Sequence, residues 1–117
     1  MKKSVLLVDD SATVRQLLRD MLSRDYEVFE AKHGQEGLDI LKKLKVNIVI
    51  TDINMPIMDG YKFIREAKKL TKFVPYIVIT SDDGPDAMRL IKEAGAATFI
   101  KKPFEAAQVR KILSIIA

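Results

Sequence analysis

Short apolar runs rich in β-branched residues alternate along this chain with segments whose apolar residues recur at helical spacing. The apolar runs occupy residues 5–8, 26–31, 47–51, 76–80 and 98–100. Runs of this length predict β-strands, and the segments between them predict amphipathic helices. Because parallel strands need a long connection, which a helix supplies, strict alternation predicts parallel pairing with right-handed crossovers. The expected fold is an α/β (βα)5 three-layer sandwich around a five-stranded sheet.

The helical segments each present one apolar stripe. The first stripe contains Val14, Leu17, Leu18, Met21 and Leu22. In the fourth segment, Pro85 follows Gly84 and suits a first helical turn, while Gly95 suits the left-handed residue that ends a helix. We therefore expect the fourth helix to lie between these two glycines.

The apolar patterns of the strands predict their order in the sheet. The first, third and fourth runs are almost continuously apolar, as expected of strands covered on both faces. The second alternates, with Glu27 between Tyr26 and Val28, which favours an edge position. Together these patterns predict the doubly wound order 2-1-3-4-5, whose crevice lies where the first and third strands end.

Length and composition indicate one domain, residues 1–117, because 117 residues leave no room for a second core. The chain has no cysteine, which excludes disulfides, thiolate metal sites and cysteine nucleophiles. The apolar run near the N-terminus is too short for an export signal, and no run is long enough to cross a bilayer. We expect a cytoplasmic protein without membrane insertion, either a stand-alone domain or a piece of a longer chain.

The net charge of +4 raises the question of a nucleic-acid partner. The basic clusters fall near predicted helix ends, where cations complement the helix dipole and are well solvated. They are Lys42, Lys43, Lys45, Lys68, Lys69, Lys72, Arg110 and Lys111. We expect no direct nucleic-acid binding, and a basic partner-binding face remains the alternative.

Three acids stand at the two strand ends that flank the predicted crevice: Asp9 and Asp10 after the first strand, and Asp52 after the third. Carboxylates brought together would repel one another and hold their protons to higher pH. A divalent cation resolves that conflict, and hard oxygen ligands favour Mg²⁺, with Mn²⁺ as a substitute. Helix capping or turn formation explains each acid singly, but not this combination.

The residues around these acids resemble the motifs of CheY-like response-regulator receiver domains. The resemblance rests on residues 8–11 (VDDS), residues 52–60 (DINMPIMDG), Thr80 and residues 102–104 (KPF), in matching order and spacing. It covers the whole chain and implies a flavodoxin-like fold. It also implies a phospho-accepting switch of a two-component system, of the phosphorelay or chemotaxis type.

In such a domain Asp52 is the nucleophile, phosphorylated by a histidine kinase, a phosphotransfer protein or a small phosphodonor. The resemblance implies that Asp10 and Asp52 coordinate the metal directly. It implies that Asp9 acts mainly through water and Asn54 through its backbone carbonyl. No organic cofactor is expected.

Further roles are implied by the same resemblance. Lys102 would set its ammonium group against the acceptor carboxylate, and its bond to Pro103 should be cis. Thr80 would bond the new phosphoryl group, and a neighbouring aromatic residue, here Phe99, would then move. Chemotaxis regulators carry tyrosine at that position, so Phe99 offers no hydroxyl, and a core phenylalanine without a switching role remains the alternative.

Asn54 and Asp82 would influence the lifetime of the phosphoryl group. An output protein of unknown identity is expected on the fourth helix, fifth strand and fifth helix. That face includes Lys92, Phe99, Lys101 and Lys111. Its basic character favours an acidic partner. We expect a monomer, with a phosphorylation-dependent dimer as the alternative. His33, the only histidine, is expected to be an incidental surface residue.

Three other functions compete with a receiver, which phosphorylates and dephosphorylates itself without being a turnover enzyme. A phosphohydrolase of the haloacid dehalogenase kind would place its nucleophile on the first strand, with the second acid two residues later. A flavin binder would need a hydroxyl- and glycine-rich loop where Asp9 and Asp10 stand. A phosphorylation-independent pseudo-receiver would usually lack one of the acids or the lysine.

Overall fold

The computed structural model describes residues 2–116, in which five strands alternate with five helices. The elements are β1 (Lys3–Val8), α1 (Ala12–Leu22), β2 (Tyr26–Ala31), α2 (Gly34–Lys43), β3 (Ile48–Asp52), α3 (Gly60–Leu70), β4 (Tyr76–Thr80), α4 (Pro85–Ala94), β5 (Thr98–Lys101) and α5 (Ala106–Ile116). All five predicted strands are confirmed. Two have the predicted bounds, whereas β1 begins earlier, β3 is displaced by one residue and β5 ends one residue later.

All strand pairs are parallel, and the sheet has the order β2-β1-β3-β4-β5. The predicted doubly wound topology is therefore confirmed, with β2 at an edge. In the register, Val8 lies opposite Thr51 and Asp52 lies opposite Ile79. The carboxyl ends of β1, β3 and β4 consequently meet at one edge of the sheet.

The sheet separates two apolar cores, which explains why its central strands are apolar on both faces. Leu6 and Val8 point into the core beneath α2, α3 and α4, where Phe63 and Tyr76 meet edge to face at 6.5 Å. The intervening Leu7 points into the other core, covered by α1 and α5. This two-sided burial fixes the direction of every side chain along β1, β3 and β4.

Local capping sets where the helices begin and end near the carboxyl edge. The hydroxyl of Ser11 accepts a bond from the amide of Val14, and the carboxylate of Asp59 accepts one from Lys62. Gly95, at φ 92°, ends α4 in the left-handed region. The predicted bracketing of α4 by Gly84 and Gly95 is confirmed.

Several sequence expectations were wrong in detail. Leu17 is 48% exposed, and Arg15 takes a buried place on α1 instead. His33 is half-buried and caps α2, since its Nδ1 accepts a bond from the Glu36 amide at 3.2 Å. Arg110 lies in the middle of α5 rather than at its end, because the helix continues to residue 116.

Lys111, next to it, also lies within α5. Lys42, Lys43, Lys68 and Lys69 do occupy last helical turns, as expected. Among residues 2–116, no helix combines the length and apolar character that crossing a bilayer requires.

Candidate functional site

The three predicted acids meet at the carboxyl edge of the sheet. Asp9, Asp10 and Asp52 each offer a carboxylate oxygen, and these oxygens lie within 4.8 Å of one another. Asp9 and Asp52 are buried, with 2% and 8% of their surface exposed, whereas Asp10 is exposed. The cluster therefore has a buried base and one side open to solvent.

Backbone amides orient the two buried carboxylates. Asp9 Oδ1 accepts a hydrogen bond from the Ser11 amide at 2.8 Å, and Asp52 Oδ1 accepts one from the Ile53 amide at 2.8 Å. In each group this leaves the second oxygen, Oδ2, facing the ammonium of Lys102. The distances from Lys102 Nζ are 3.8 Å to Asp9 and 3.5 Å to Asp52.

The backbone around Lys102 holds this residue in place. Its amide donates to the carbonyl of Thr80 at 2.8 Å, which continues the pairing of β4 with β5. Its bond to Pro103 is cis, the geometry expected from the sequence. Phe104 then packs against the core under α1 and α5. The lysine therefore approaches the acids from the fifth strand, with its side chain about a quarter exposed.

Burial raises the pKa of Asp9, and the nearby charges of Asp52 and Asp10 raise it further. The Ser11 amide and the charge of Lys102 act in the opposite direction, but the pKa remains above its ordinary value. The cluster of three carboxylates has one ammonium group against it, which faces Asp9 and Asp52, so the site carries excess negative charge that a divalent cation would balance. The all-oxygen donor set fits Mg²⁺ or Mn²⁺.

Thr80 ends β4 beside the acids and is buried. Its hydroxyl oxygen accepts a bond from the Asp82 amide at 3.0 Å and lies 3.4 Å from the Asp82 carbonyl. Ser81 and Asp82 are exposed. The next residue, Asp83, pairs with Lys101 of β5 at 2.9 Å. The hydroxyl of Thr80 is thus bonded to the loop that leads into α4.

The remaining predicted site residues lie around this cluster. Asn54 is exposed, two residues after Asp52. Phe99 is half-buried on β5 and packs against the core under α2, α3 and α4. On the predicted output face, Lys92, Lys101 and Lys111 are all exposed.

Sequence reasoning missed the arginine beneath the acids. Arg15 Nη1 donates to the backbone carbonyl of Asp9 at 2.5 Å, and its Nε bonds Glu30 at 3.0 Å. Arg19 bonds the other oxygen of Glu30 at 2.7 Å. Burial acts to raise the pKa of Glu30, but the two arginines outweigh it and lower that pKa. The i,i+4 spacing of the arginines, with an acid in the second strand, was the available signal.

Gly60 was also missed as a site residue, although it is the last residue of the motif at residues 52–60. Its amide donates to the Ile53 carbonyl at 2.8 Å, which draws the start of α3 against the end of β3. A Cβ atom at Gly60 would overlap the carbonyl oxygen of Asp52. Only glycine allows this approach of the helix to the acid's backbone.

A family model described as the response regulator receiver domain matches residues 5–114. The chain is 37% identical over 115 residues to the chemotaxis protein CheY of Halobacterium salinarum, covering 97% of this chain and 96% of that one. It is 32% identical over 111 residues to sporulation initiation phosphotransferase F of Bacillus subtilis, covering 94% and 90%.

Among solved structures, chemotaxis protein CheY4 of Vibrio cholerae superposes on the whole chain. The TM-score is 0.95 at 32% identity, and the match covers 100% of both chains. The likeness therefore extends from the strand order to the full course of the backbone.

Proposed function

This chain belongs to the response-regulator receiver family, and from that premise we propose that it is a two-component signalling switch with Asp52 as phosphoryl acceptor. The observation that supports this most strongly is the position of Lys102 Nζ, 3.5 Å from Asp52 Oδ2 and 3.8 Å from Asp9 Oδ2. A lysine so placed can counter negative charge on a group that joins Asp52.

The transfer forms one bond and breaks one. A carboxylate oxygen of Asp52 attacks the phosphorus of a phosphohistidine or of a small acyl phosphate such as acetyl phosphate. The bond between phosphorus and the departing nitrogen or oxygen breaks, and the donor leaves with that electron pair. The product is an aspartyl phosphate, and attack by water later restores the carboxylate and releases inorganic phosphate.

Asp52 Oδ2 is the better candidate for the attacking oxygen, since Oδ1 is bonded to the Ile53 amide. Lys102 would follow the charge from the carboxylate to the phosphoryl oxygens, because charge builds up there during transfer. The backbone of Lys102 is already held in place before transfer, because its amide donates to the Thr80 carbonyl.

A divalent ion, Mg²⁺ or Mn²⁺, fits this donor set. Asp10 and Asp52 would hold it directly, Asp9 mainly through water, and Asn54 through its backbone carbonyl. When bound, it supplies positive charge that stabilises the phosphoryl oxygens. The ion is held by ionised carboxylates, so the raised pKa of Asp9 predicts that metal binding weakens as pH falls.

The switch would begin at Thr80, whose hydroxyl is bonded to the backbone of Asp82. A phosphoryl group on Asp52 offers strong acceptor oxygens and would draw that hydroxyl toward it. The loop before α4 then loses its bond to Thr80, while the ion pair of Asp83 with Lys101 still ties it to β5. Movement of the loop would pass to Phe99 on the same strand.

The partners that this chemistry requires are a histidine kinase or phosphotransfer protein as donor and an output protein that reads the switch. We place the output surface on α4, β5 and α5. Because Lys101 is paired with Asp83, its charge would become fully available to an acidic partner only after that ion pair opens. Exposed Asn54 and Asp82 flank the approach to Asp52, where they would influence the lifetime of the phosphoryl group.

The same site is proposed to act once per phosphoryl group rather than as a turnover phosphatase. A haloacid dehalogenase-type enzyme would place its nucleophile on the first strand with the second acid two residues later, whereas the acids that follow the first strand here, Asp9 and Asp10, are adjacent. Release of many phosphates per chain from a phosphomonoester would overturn the receiver assignment.

The test is labelling by acetyl phosphate with and without Mg²⁺, followed by intact-mass measurement. The wild-type chain is expected to gain one phosphoryl group only when Mg²⁺ is present, and Asp52→Asn is expected to gain none. Asp59→Asn is the matched control, since Asp59 lies in the loop that follows Asp52 but caps α3. Undiminished labelling of Asp52→Asn would refute the assignment.

A further inference from the structure

A groove of about 590 Å³ opens at the end of the molecule opposite the acids, between the segments that precede β3 and β4. Because the strands are parallel, residues 45–47 and 71–74 lie at the amino edge of the sheet, whereas Asp9 and Asp52 lie at the carboxyl edge. The groove is therefore remote from the phosphorylation site.

Large apolar side chains on the groove walls are exposed. Phe73, in the turn between α3 and β4, is 92% exposed, Leu70 is 46% exposed and Leu44 is 41% exposed. Half of the large hydrophobic residues that the described chain exposes thus line one groove. A clustered apolar surface of this kind marks a binding site more often than isolated exposed residues do.

The rim of the groove is basic. Its lining contains Lys45 and Lys72 and no acid. Across residues 2–116 neither of these lysines forms an ion pair, whereas Lys69 nearby is paired with Glu66 at 2.6 Å. Lys42 and Lys43, which are exposed in the last turn of α2, add further positive charge next to Lys45 in the sequence. Lys45 follows α2 and Lys72 follows α3, and the groove brings these two lysines together. The proposed phosphorylation chemistry uses neither of them.

The polar groups of the walls are engaged within the protein. The hydroxyl of Thr71 donates to the Ala67 carbonyl at 3.0 Å, and Oδ1 of Asn47 accepts from the Ser4 amide at 2.8 Å. The strands beneath the groove, β3 and β4, lie inside the sheet and offer no free edge to an added strand. A ligand here would be held by its own apolar side chains and by charge.

We propose that this groove is a second docking surface, which binds an acidic peptide segment of a partner protein. One or two large apolar side chains of that segment enter between Leu44, Leu70 and Phe73, and flanking carboxylates meet Lys45 and Lys72. The groove's concave form favours a peptide over a flat lipid surface. The site is independent of Asp52 and would tether a partner whether or not the chain is phosphorylated.

The test uses the ¹⁵N-labelled full chain and two probe peptides of about twelve residues, a length that covers one such groove. The first carries leucine and phenylalanine at helical spacing with glutamate between them, and the second carries lysine in place of each glutamate. Amide shifts are expected to change at Leu44, Lys72 and Phe73 with the acidic peptide and not with the basic one. Asp52→Asn should bind the acidic peptide equally well, which separates this proposal from the proposed phosphorylation.

Variants locate the binding. Phe73→Ser is expected to weaken binding of the acidic peptide about tenfold. Leu17→Ser, a change at an apolar residue that is 48% exposed on α1 and lies outside the groove, is expected to leave that binding unchanged. Lys45→Glu with Lys72→Glu should reverse the charge preference. Binding at other residues, equal binding of both peptides or no binding would overturn the proposal. The proposal would also be overturned, in favour of a membrane surface, if the wild-type chain sedimented with phosphatidylglycerol vesicles and Phe73→Ser did not.

Discussion

At the scale of single residues, Asp9 shows how burial and repulsion set the behaviour of the site. Its carboxylate is almost fully buried, and its pKa is raised above the ordinary 3.8, first by burial and then by Asp52. A group whose pKa is higher in the folded state contributes stability that is present below its unfolded pKa and lost as pH rises through the folded value. Folding without metal should therefore become less favourable as Asp9 ionises.

We expect Asp9→Asn to remove that loss, because asparagine keeps the bond to the Ser11 amide but carries no charge. In urea unfolding with a chelator, the variant should be more stable than the wild type at neutral pH. The advantage should shrink as pH falls through the raised pKa of Asp9. Parallel curves for the two proteins across this range would contradict the assignment of the shift to Asp9.

Arg15 is expected to be a positioning residue for the metal site, since it bonds the Asp9 backbone without reaching the carboxylates. Arg15→Gln should weaken Mg²⁺ binding about tenfold, as loss of a ligand's supporting partner commonly does. The matched control is Arg19→Gln, because Arg19 bonds the same Glu30 and the carbonyl of Val28 rather than the backbone of Asp9. Calorimetric titration with Mg²⁺ measures both, and an equal loss in the two variants would mean that Arg15 acts only through Glu30.

At the scale of secondary-structure elements, the close approach of α3 to the end of β3 depends on Gly60. We expect Gly60→Ala to lower the free energy of unfolding by about 1–3 kcal/mol, because the new methyl group overlaps the Asp52 carbonyl. Gly84→Ala is the control, since its Cβ would approach only a side-chain oxygen of Asp82, at 3.2 Å. Urea unfolding measures the free energy of unfolding of both variants. An equal decrease in the two would show that α3 does not approach β3 closely at Gly60.

The elements themselves were largely predictable from the sequence, because strands buried on both faces must be apolar throughout and helices between them must be amphipathic. Strand order followed from the one alternating strand, and the site followed from where β1 and β3 end. Which residues of a helix are buried was less predictable. Leu17 fits the apolar stripe of α1 but is exposed, whereas Arg15 is buried because Glu30 of β2 pairs with its charge.

His33 illustrates the same limit, since its ring nitrogen caps α2, a role that ordinary cap preferences do not favour for histidine. Pairing across elements, as between Arg15 and Glu30, is set only after the chain has folded. The groove at Phe73 likewise joins two turns that are far apart in sequence.

For the whole molecule, the excess negative charge at the carboxyl edge should make stability depend on metal. At a hundredfold excess over its dissociation constant, Mg²⁺ should add about 2.7 kcal/mol to the free energy of unfolding. Asp10→Ala should lose most of this gain, and its exposed position predicts little other damage. The control is Asp20→Ala, because Asp20 is also an exposed acid but lies on α1, away from the cluster. Chemical unfolding with and without Mg²⁺ measures the effect, and an undiminished gain in Asp10→Ala would place the ion elsewhere.

The central claim is that this receiver accepts its phosphoryl group on Asp52 and on no other acid of the cluster. Borohydride reduction of the phosphorylated chain converts an aspartyl phosphate to homoserine, and peptide mass spectrometry then locates it. We predict homoserine at position 52 alone, formed only after treatment with acetyl phosphate and Mg²⁺. Homoserine at position 9 or 10, or a phosphorylated chain that yields none, would contradict the account.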